Sequence, residues 1–305
     1  AVEYWSYEFY DKNERNRANL TQEIRLSMGS IILGGYFKHL IEQDKATGYL
    51  FGGVATDATS HYDFQATAGY AQYGLDLTSS FKLKANIRYE KNSIIYDGSS
   101  QGLNDYLEKI FLAPISFDID HAMIGYRTSL HYLKDKFTSF YGSVSQGYKS
   151  GGVNQQPFLS DASRPYEPEF IQNFEIGLKR ATKKYQTQLS AFFSLRKDQQ
   201  VSVSSQQDKE NPNSFLFYTG NAGSGTIQGF EWENTLNLSS SLNMDASLGY
   251  LTTWVNKFTY FAAEGVEAIG GDREAAMSPE ITGSAGLNFK NNSGIFGLVQ
   301  MSFKD

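Results

Sequence analysis

Apolar and polar side chains alternate along much of this chain. Between Phe81 and Tyr89 the odd-numbered positions are all apolar, whereas the even-numbered positions are Lys, Lys, Asn and Arg. A period of two is that of a β-strand with one apolar and one polar face, because a helix would mix the two sets on every side. The same alternation recurs over residues 170–179, 185–196, 230–238, 242–254 and 281–289. The pattern therefore predicts an all-β chain.

The alternating segments are long as well as numerous. We predict about thirteen strands, at residues 1–10, 20–28, 31–42, 62–77, 81–96, 118–132, 137–149, 169–180, 185–197, 225–238, 242–256, 279–290 and 294–303. Many of them run to about 10–16 residues, whereas strands in globular proteins average about 5–6. A strand that crosses a bilayer needs roughly 9–11 residues, so this length favours strands that span a membrane.

The connections between these strands fall into two length classes. Short turns occupy residues 29–30, 78–80, 133–136, 181–184, 239–241 and 291–293, and between them lie long polar segments at 43–61, 97–117, 150–168, 198–224 and 257–278. A soluble sandwich has no reason to sort its loops in this way, whereas an up-and-down barrel has tight turns at one end and long loops at the other. We therefore predict an antiparallel up-and-down transmembrane β-barrel.

The strand count bears on domain organisation. Bacterial single-chain barrels have an even number of strands, and an open sheet in lipid would leave two unpaired edges. Residues 1–305 are therefore expected to be one barrel domain that forms a portion of a larger barrel; the alternative is that the strand count is wrong by one. No composition shift or linker indicates a second domain.

Composition supports the membrane interpretation and excludes other classes. Aromatic residues make up 15% of the chain, and Tyr and Trp near strand ends suit the boundary between lipid and water. A net charge of −6 argues against a nucleic-acid partner, and no run of about 18 apolar residues predicts a membrane helix. There is no Cys, and the four His residues form no metal signature. We expect no metal, no cofactor and no enzymatic activity.

Four stretches resemble one known family. They are residues 22–27 (QEIRLS), 143–154 (SVSQGYKSGGVN), 168–179 (PEFIQNFEIGLK) and 221–233, which begins NAG and ends GFEWE. These stretches are similar to strands of the TonB-dependent outer-membrane receptors of Gram-negative bacteria. The resemblance implies a barrel of 22 strands around a globular plug, located in the outer membrane. It also implies a partnership with the TonB energy-transducing complex through the plug region. The plug, the TonB box and the last strands are expected to be absent from this chain.

That resemblance leads to a transport hypothesis. The protein is expected to take up a scarce, bulky small-molecule ligand such as a metal chelate, by default a ferric siderophore. Two alternatives stay open: a passive outer-membrane channel without energy coupling, and a soluble or surface β-protein used for adhesion. The upstream coding sequence would separate import from a passive channel, and the need for detergent would separate both from adhesion.

Two sets of residues are candidates for contacts inside such a receptor. Aromatic rings in the predicted loops are suited to stacking on a ligand, although each of them also fits a role in packing the loops together. They are Tyr49, Phe51, Phe158, Tyr166, Phe215, Phe217, Tyr218, Tyr260 and Phe261. Charged residues on the polar strand faces are predicted to line the lumen or face the plug. They are Lys82, Lys84, Arg88, Glu175, Lys179, Arg196, Glu231 and Glu233.

Overall fold

The structure, a computed structural model, describes residues 10–50, 55–103, 109–155, 159, 161–206, 215–263 and 266–305. Its strands are β1 (Asp11–Met28), β2 (Ile31–Leu50), β3 (Ala55–Asp76), β4 (Phe81–Leu103), β5 (Lys109–Phe111), β6 (Ile115–Leu133), β7 (Thr138–Lys149), β8 (Gly152–Val153), β9 (Pro165–Tyr166), β10 (Glu169–Ala181), β11 (Tyr185–Gln206), β12 (Phe215–Asn237), β13 (Leu242–Val255), β14 (Phe258–Ala263), β15 (Val266–Gly270), β16 (Ile281–Lys290) and β17 (Phe296–Lys304). One turn of 3-10 helix, Asp161–Ser163, lies between β8 and β9. In the described part of the chain, no helix has the length and hydropathy needed to cross a membrane.

One antiparallel sheet contains nearly all of the long strands. Its order is β1-β2-β3-β4-β6-β7-β10-β11-β12-β13-β16-β17, with the short β5 paired to β4. Each long strand pairs with the next one along the chain, which is the up-and-down topology that the turn pattern predicts. Two small hairpins, β8–β9 and β14–β15, lie in the long connections. Strands β1 and β17 are the two edges of the described sheet.

Twelve of the thirteen predicted strands are confirmed, and several of them are longer at the long-loop end than we predicted. The strand predicted over residues 1–10 lies outside the described residues, and the other twelve all form. However, β2 continues to Leu50, β11 continues to Gln206, and β12 begins at Phe215, well inside segments that we predicted as loops. The extension of β2 is mostly polar, whereas β11 and β12 carry apolar residues here, including Val203 and Tyr218; in all three the backbone stays paired in the ladder.

The two faces of the sheet differ in exposure. We call the outer face the one that carries the large exposed apolar side chains, such as Ile87, which is 54% exposed, and Ile176, which is 67% exposed. The inner face carries the alternate positions, including Arg88 and Glu90. Exposed apolar surface of this extent on successive strands is unfavourable in water and indicates contact with lipid.

Buried apolar side chains collect on the inner face at the long-loop end. Ile94, Tyr96 and Ile115 form a cluster there, and Val153 from β8 packs against them. Tyr62 and Phe64 of β3 border this cluster. The sheet therefore supports a small core at its long-loop end, where the connections fold over the strands.

Candidate functional site

The connection between β7 and β10 folds against the inner face of the sheet. We call its described residues, 150–155, 159 and 161–168, the inward segment. Val153 places its side chain in the cluster of Ile94 and Tyr96, and the Tyr166 ring lies so close to Gly152 that a side chain there would overlap it. Burial raises the pKa of Tyr166 above that of an exposed tyrosine. The inward segment is therefore packed against the wall and narrows the long-loop end on its inner side.

Asn154 fixes the inward segment to β12. Its Nδ2 donates to the carbonyl oxygens of Ser163 at 3.1 Å, Arg164 at 3.1 Å and Thr219 at 2.8 Å. Its Oδ1 accepts a hydrogen bond from the backbone N–H of Thr219 at 2.8 Å. Because Asn154 is 7% exposed, these bonds satisfy an amide that would otherwise be buried without partners.

A second anchor joins the start of β10 to β11. Arg196 Nε donates to Glu169 Oε1 at 2.7 Å, and the backbone N–H of Gln200 donates to Glu169 Oε2 at 3.0 Å. Gln200 Nε2 then donates to the carbonyl oxygens of Ser150 at 2.8 Å and Glu167 at 3.1 Å. The ion pair of Glu169 and Arg196 thus positions Gln200 through its backbone N–H. The side chain of Gln200 in turn binds both ends of the inward segment.

His121 lies beneath the same segment. It is 6% exposed and is in close contact with Gly151, and its Nε2 is 3.8 Å from Glu167 Oε2. Among the described residues its Nδ1 has no hydrogen-bond partner. Burial lowers the pKa of His121, against the opposing influence of Glu167 and Asp120.

An open cavity of about 200 Å³ lies between the inward segment and the strands β1 to β6. Arg15, Asp44, Tyr96 and Gln155 line it, together with Ser60 and Ser100 and other residues of the same strands. Arg15 binds Asp44 in a forked arrangement, with Nε to Oδ1 at 2.7 Å and Nη2 to Oδ2 at 2.6 Å. Burial raises the pKa of Tyr96 to about 12, so its hydroxyl keeps its proton at neutral pH.

The chemistry of this cavity suits a ligand with oxygen atoms. The Tyr96 phenol and the Gln155 amide are hydrogen-bond donors. Arg15, whose Nε and Nη2 are bound to Asp44, has its Nη1 as the donor for an anionic oxygen. The apolar cluster beside it would shield such bonds from water. The described residues contain no group of three His, Asp, Glu or Cys side chains placed to hold a metal ion directly.

The predicted loop aromatics occupy different environments. Tyr218 is buried with Leu159 and Val203, and Tyr260 packs against that cluster, so both support the loops. Phe217 is 61% exposed, and Tyr166 lies in the inward segment. Phe51 and Phe158 lie outside the described residues, as do the side chains of Tyr49, Phe215 and Phe261.

The strand register places all eight predicted lumen residues on the inner face. Ion pairs join Lys82 to Asp76 and Arg88 to Glu90, in addition to the Arg196 pair. Glu175 accepts a hydrogen bond from Tyr141 at 2.5 Å, and Lys179 lies 5.6 Å from the centre of that ring. The other three residues that we predicted to line the lumen are Lys84, Glu231 and Glu233, which share the inner face.

Sequence reasoning missed the residues that shape the cavity. Arg15 and Asp44 belong to stretches where both faces are polar, so no alternation marked them as strand residues. Asn154 ends one of the stretches that resemble the receptor family, but nothing in that stretch indicates its hydrogen bonds to Thr219. The predicted strand 81–96 does include Tyr96, on the same face as Arg88 and Ile94, but the alternation gives no indication that this residue lines a cavity.

Comparison with known proteins gives the family. A family model described as "TonB dependent receptor-like, beta-barrel" matches residues 3–304. The pesticin receptor of Yersinia pestis is 26% identical over 146 residues, which is 47% of this chain and 20% of that protein, and a pesticin receptor of Yersinia enterocolitica is 25% identical over the same share. The matched chain thus spans about a fifth of the length of these curated relatives.

Solved structures share the fold. The ferric yersiniabactin uptake receptor FyuA of Yersinia pestis matches 97% of this chain and 44% of its own, with a TM-score of 0.73 and 15% identity. The ferric-catecholate import receptor Fiu of E. coli K12 matches 96% of this chain and 44% of its own, with a TM-score of 0.59 and 15% identity. At these identities the likeness concerns the fold. The sequence match across nearly all of the strands is what assigns the family: the chain belongs to the TonB dependent receptor-like β-barrel family.

Proposed function

We propose that this chain is part of the wall of an outer-membrane receptor that imports a scarce, bulky ligand, by default a ferric siderophore. The observation that carries the proposal is the cavity on the inner face at the long-loop end, lined by Arg15, Asp44 and Tyr96, in a family of receptor barrels. Relatives of this fold include proteins named for ferric yersiniabactin uptake and for ferric-catecholate import. Their names supply the ligand class that we propose here.

The outer face supports a location in the outer membrane of a Gram-negative bacterium. Tyr89 is 51% exposed on that face, and two residues later Lys91 pairs with Asp120 at 2.7 Å on the same face. Along a strand that leaves the hydrocarbon layer, an aromatic residue at the boundary followed by charged residues is the expected order. The cavity would therefore stand beyond the membrane, open to arriving ligand.

Uptake against a gradient needs energy from elsewhere in the cell. We propose that the TonB complex supplies it to the full-length protein, as the family description implies, and that the chain has no enzymatic activity of its own. The wall then has two tasks: it captures ligand through Arg15 and Tyr96, and it holds the inward segment so that the long-loop end keeps its shape.

The test is ligand uptake by the full-length protein in cells that otherwise lack ferric-siderophore receptors. Radioactive iron supplied as a panel of purified ferric chelates should enter when TonB is present and should not enter when TonB is deleted. Arg15→Gln should weaken uptake of the accepted chelate by about tenfold, since a charge-assisted hydrogen bond is worth about 1.5 kcal/mol or more. Lys45→Gln, a matched loss of a nearby outer-face cation, should leave uptake unchanged.

Two outcomes would refute the proposal. Uptake of a chelate that is the same with and without TonB would indicate a passive channel. Uptake of no chelate, by a protein shown to be folded through heat-modifiable migration on a gel, would remove the ligand class as well.

A further inference from the structure

Charge is unevenly distributed over the inner face at the level of the lipid-facing strands. On the side formed by β1 to β6, the inner positions include Arg25, Lys84, Arg88 and Arg127. On the side formed by β12 and β13, they include Glu231, Glu233 and Asp245 instead. Between the two sides, β10 carries both Glu175 and Lys179. The inner wall thus has a cationic side and an acidic side.

The cationic side contains a second open cavity, separate from the one at the long-loop end. Its volume is about 520 Å³, and its lining includes the three guanidinium groups of Arg25, Arg88 and Arg127. Gln72 and Asn86 also line it: Asn86 lies across the ladder from Arg127, and Gln72 lies across from Asn86 on the next strand. The amides add neutral donors to the three cations.

Neighbouring side chains neutralise only part of this charge. Arg88 is bonded to Glu90 through Nη2 at 2.5 Å, and its Nε donates to the Tyr148 hydroxyl at 3.1 Å. Glu23 also lines the cavity, and its carboxylate accepts the hydroxyl of Tyr70. Within the part of the chain that the structure describes, the ion pairs include none with Arg25 or Arg127.

We propose that this cavity binds an oxyanion, a carboxylate or phosphate group, between Arg127, Arg88 and Arg25. Guanidinium is planar and presents paired donors that match the spacing of two oxyanion oxygens. Guanidinium groups that have no ion-pair partner and lie against a wall of low dielectric constant attract oxyanions strongly. The oxyanion could belong to a small solute or to an acidic side chain of a polypeptide segment within the lumen, and the chemistry of recognition is the same.

This chain contains no cysteine, so a single cysteine introduced into it can report the local electrostatic potential through its reaction rate with charged reagents. Ser145 lies across the ladder from Arg127, and Ser247 lies across from Glu233, so Ser145→Cys and Ser247→Cys are matched, nearly isosteric probes. Each single-cysteine full-length protein, in detergent, is treated with a negatively charged and a positively charged methanethiosulfonate reagent. The ratio of negative to positive reaction rates should be about tenfold higher at Ser145→Cys, since wall potentials reach several kT.

Variants at Arg127 connect that ratio to the proposed site. Arg127→Gln should bring the Ser145→Cys ratio close to that of Ser247→Cys, whereas Arg127→Lys, which keeps the charge, should retain it. Inorganic phosphate, compared with chloride at equal ionic strength, should slow the negative reagent at Ser145→Cys alone. That result assigns the site to a small anion.

A polypeptide source gives a different result. Ser145→Cys would then be closed to both reagents, and a carbodiimide would couple Arg127→Lys to an Asp or Glu elsewhere in the full-length chain, identified by mass spectrometry. Equal ratios at the two cysteines, a ratio indifferent to Arg127→Gln, or a closed Ser145→Cys without that cross-link would each overturn the proposal.

Discussion

A substitution at Gly177 would test whether the ring of Tyr141, which lies across the neighbouring strand β10, stabilises the sheet. A side chain built at Gly177 of β10 would overlap the ring of Tyr141 on β7, so the ring occupies the space that the glycine leaves empty. From there the Tyr141 hydroxyl donates to Glu175 at 2.5 Å. The substitution Gly177→Ala should displace the ring and break this bond.

Two opposing contributions set the size of the effect. Loss of a hydrogen bond to a charged acceptor costs about 1.5–3 kcal/mol. Replacement of a strand glycine by alanine returns about 0.5–1 kcal/mol by restricting the unfolded chain. The free energy of unfolding of Gly177→Ala should therefore fall by about 1–2 kcal/mol.

Gly142 is the matched control. It lies on β7 opposite Ile176, and a side chain there would be 3.9 Å from the nearest atom, the Cγ2 of Ile176, which is an ordinary contact. Gly142→Ala should leave the full-length protein as stable or slightly more stable. The assay is reversible urea unfolding in lipid vesicles, followed by tryptophan fluorescence.

A double-mutant cycle with Tyr141→Ala would show whether the effect of Gly177→Ala depends on the tyrosine ring. If the ring is the cause, Gly177→Ala should stabilise a protein that already carries Tyr141→Ala by about 0.5–1 kcal/mol, and the double-mutant cycle should show a coupling energy of about 1.5–3 kcal/mol. Equal effects of Gly177→Ala and Gly142→Ala, or an unchanged cost in the Tyr141→Ala background, would refute this reasoning.

Three further predictions concern the inward segment and its anchors. Asn154→Ala should raise the rate of limited proteolysis within the inward segment at least about tenfold, since it removes several hydrogen bonds worth about 1 kcal/mol each, whereas Gln155→Ala should not. Arg196→Met should lower the free energy of unfolding in urea by about 3 kcal/mol, because it strands the Glu169 carboxylate, and adding Glu169→Gln should recover much of the loss. Because burial lowers the pKa of His121, its stabilising contribution is present above the ordinary pKa of about 6.5 and is lost as pH falls through the lower folded value. Proteolysis of the inward segment should thus accelerate as the pH falls below about 6.5 in the wild type and stay flat with His121→Gln, and equal pH profiles would contradict this.

The sequence predicts the fold well where lipid contact constrains the side chains. On β4, the alternation from Phe81 to Tyr89 follows from one face meeting hydrocarbon and the other a polar interior. That constraint ends with Tyr89, and the outer-face position two residues later is the charged Lys91. Beyond residue 96, where the predicted strand ends, the pattern no longer distinguishes a paired strand from a loop.

Most of the candidate site lies where that signal is lost. Arg15 and Asp44 face each other across β1 and β2, in stretches that read as polar on both faces, and their pairing depends on a register set lower in the sheet. Asn154 is buried by contacts with Thr219, about 65 residues away along the chain, which no local pattern encodes. Propensity and periodicity describe a strand's neighbours in sequence, whereas this cavity is built by its neighbours in space.

The length of β4 shows why the site and the membrane strand are continuous. Its 23 residues, rising about 3.3 Å each, extend about 76 Å, or about 54 Å along the membrane normal at a tilt of about 45°. The hydrocarbon layer accounts for only about 30 Å of that height. The remainder must stand in water, where the ladder persists because the backbone groups of adjacent strands still bond to one another. Tyr96 lies in that projecting part, so the strand that crosses the lipid also forms a wall of the cavity beyond it.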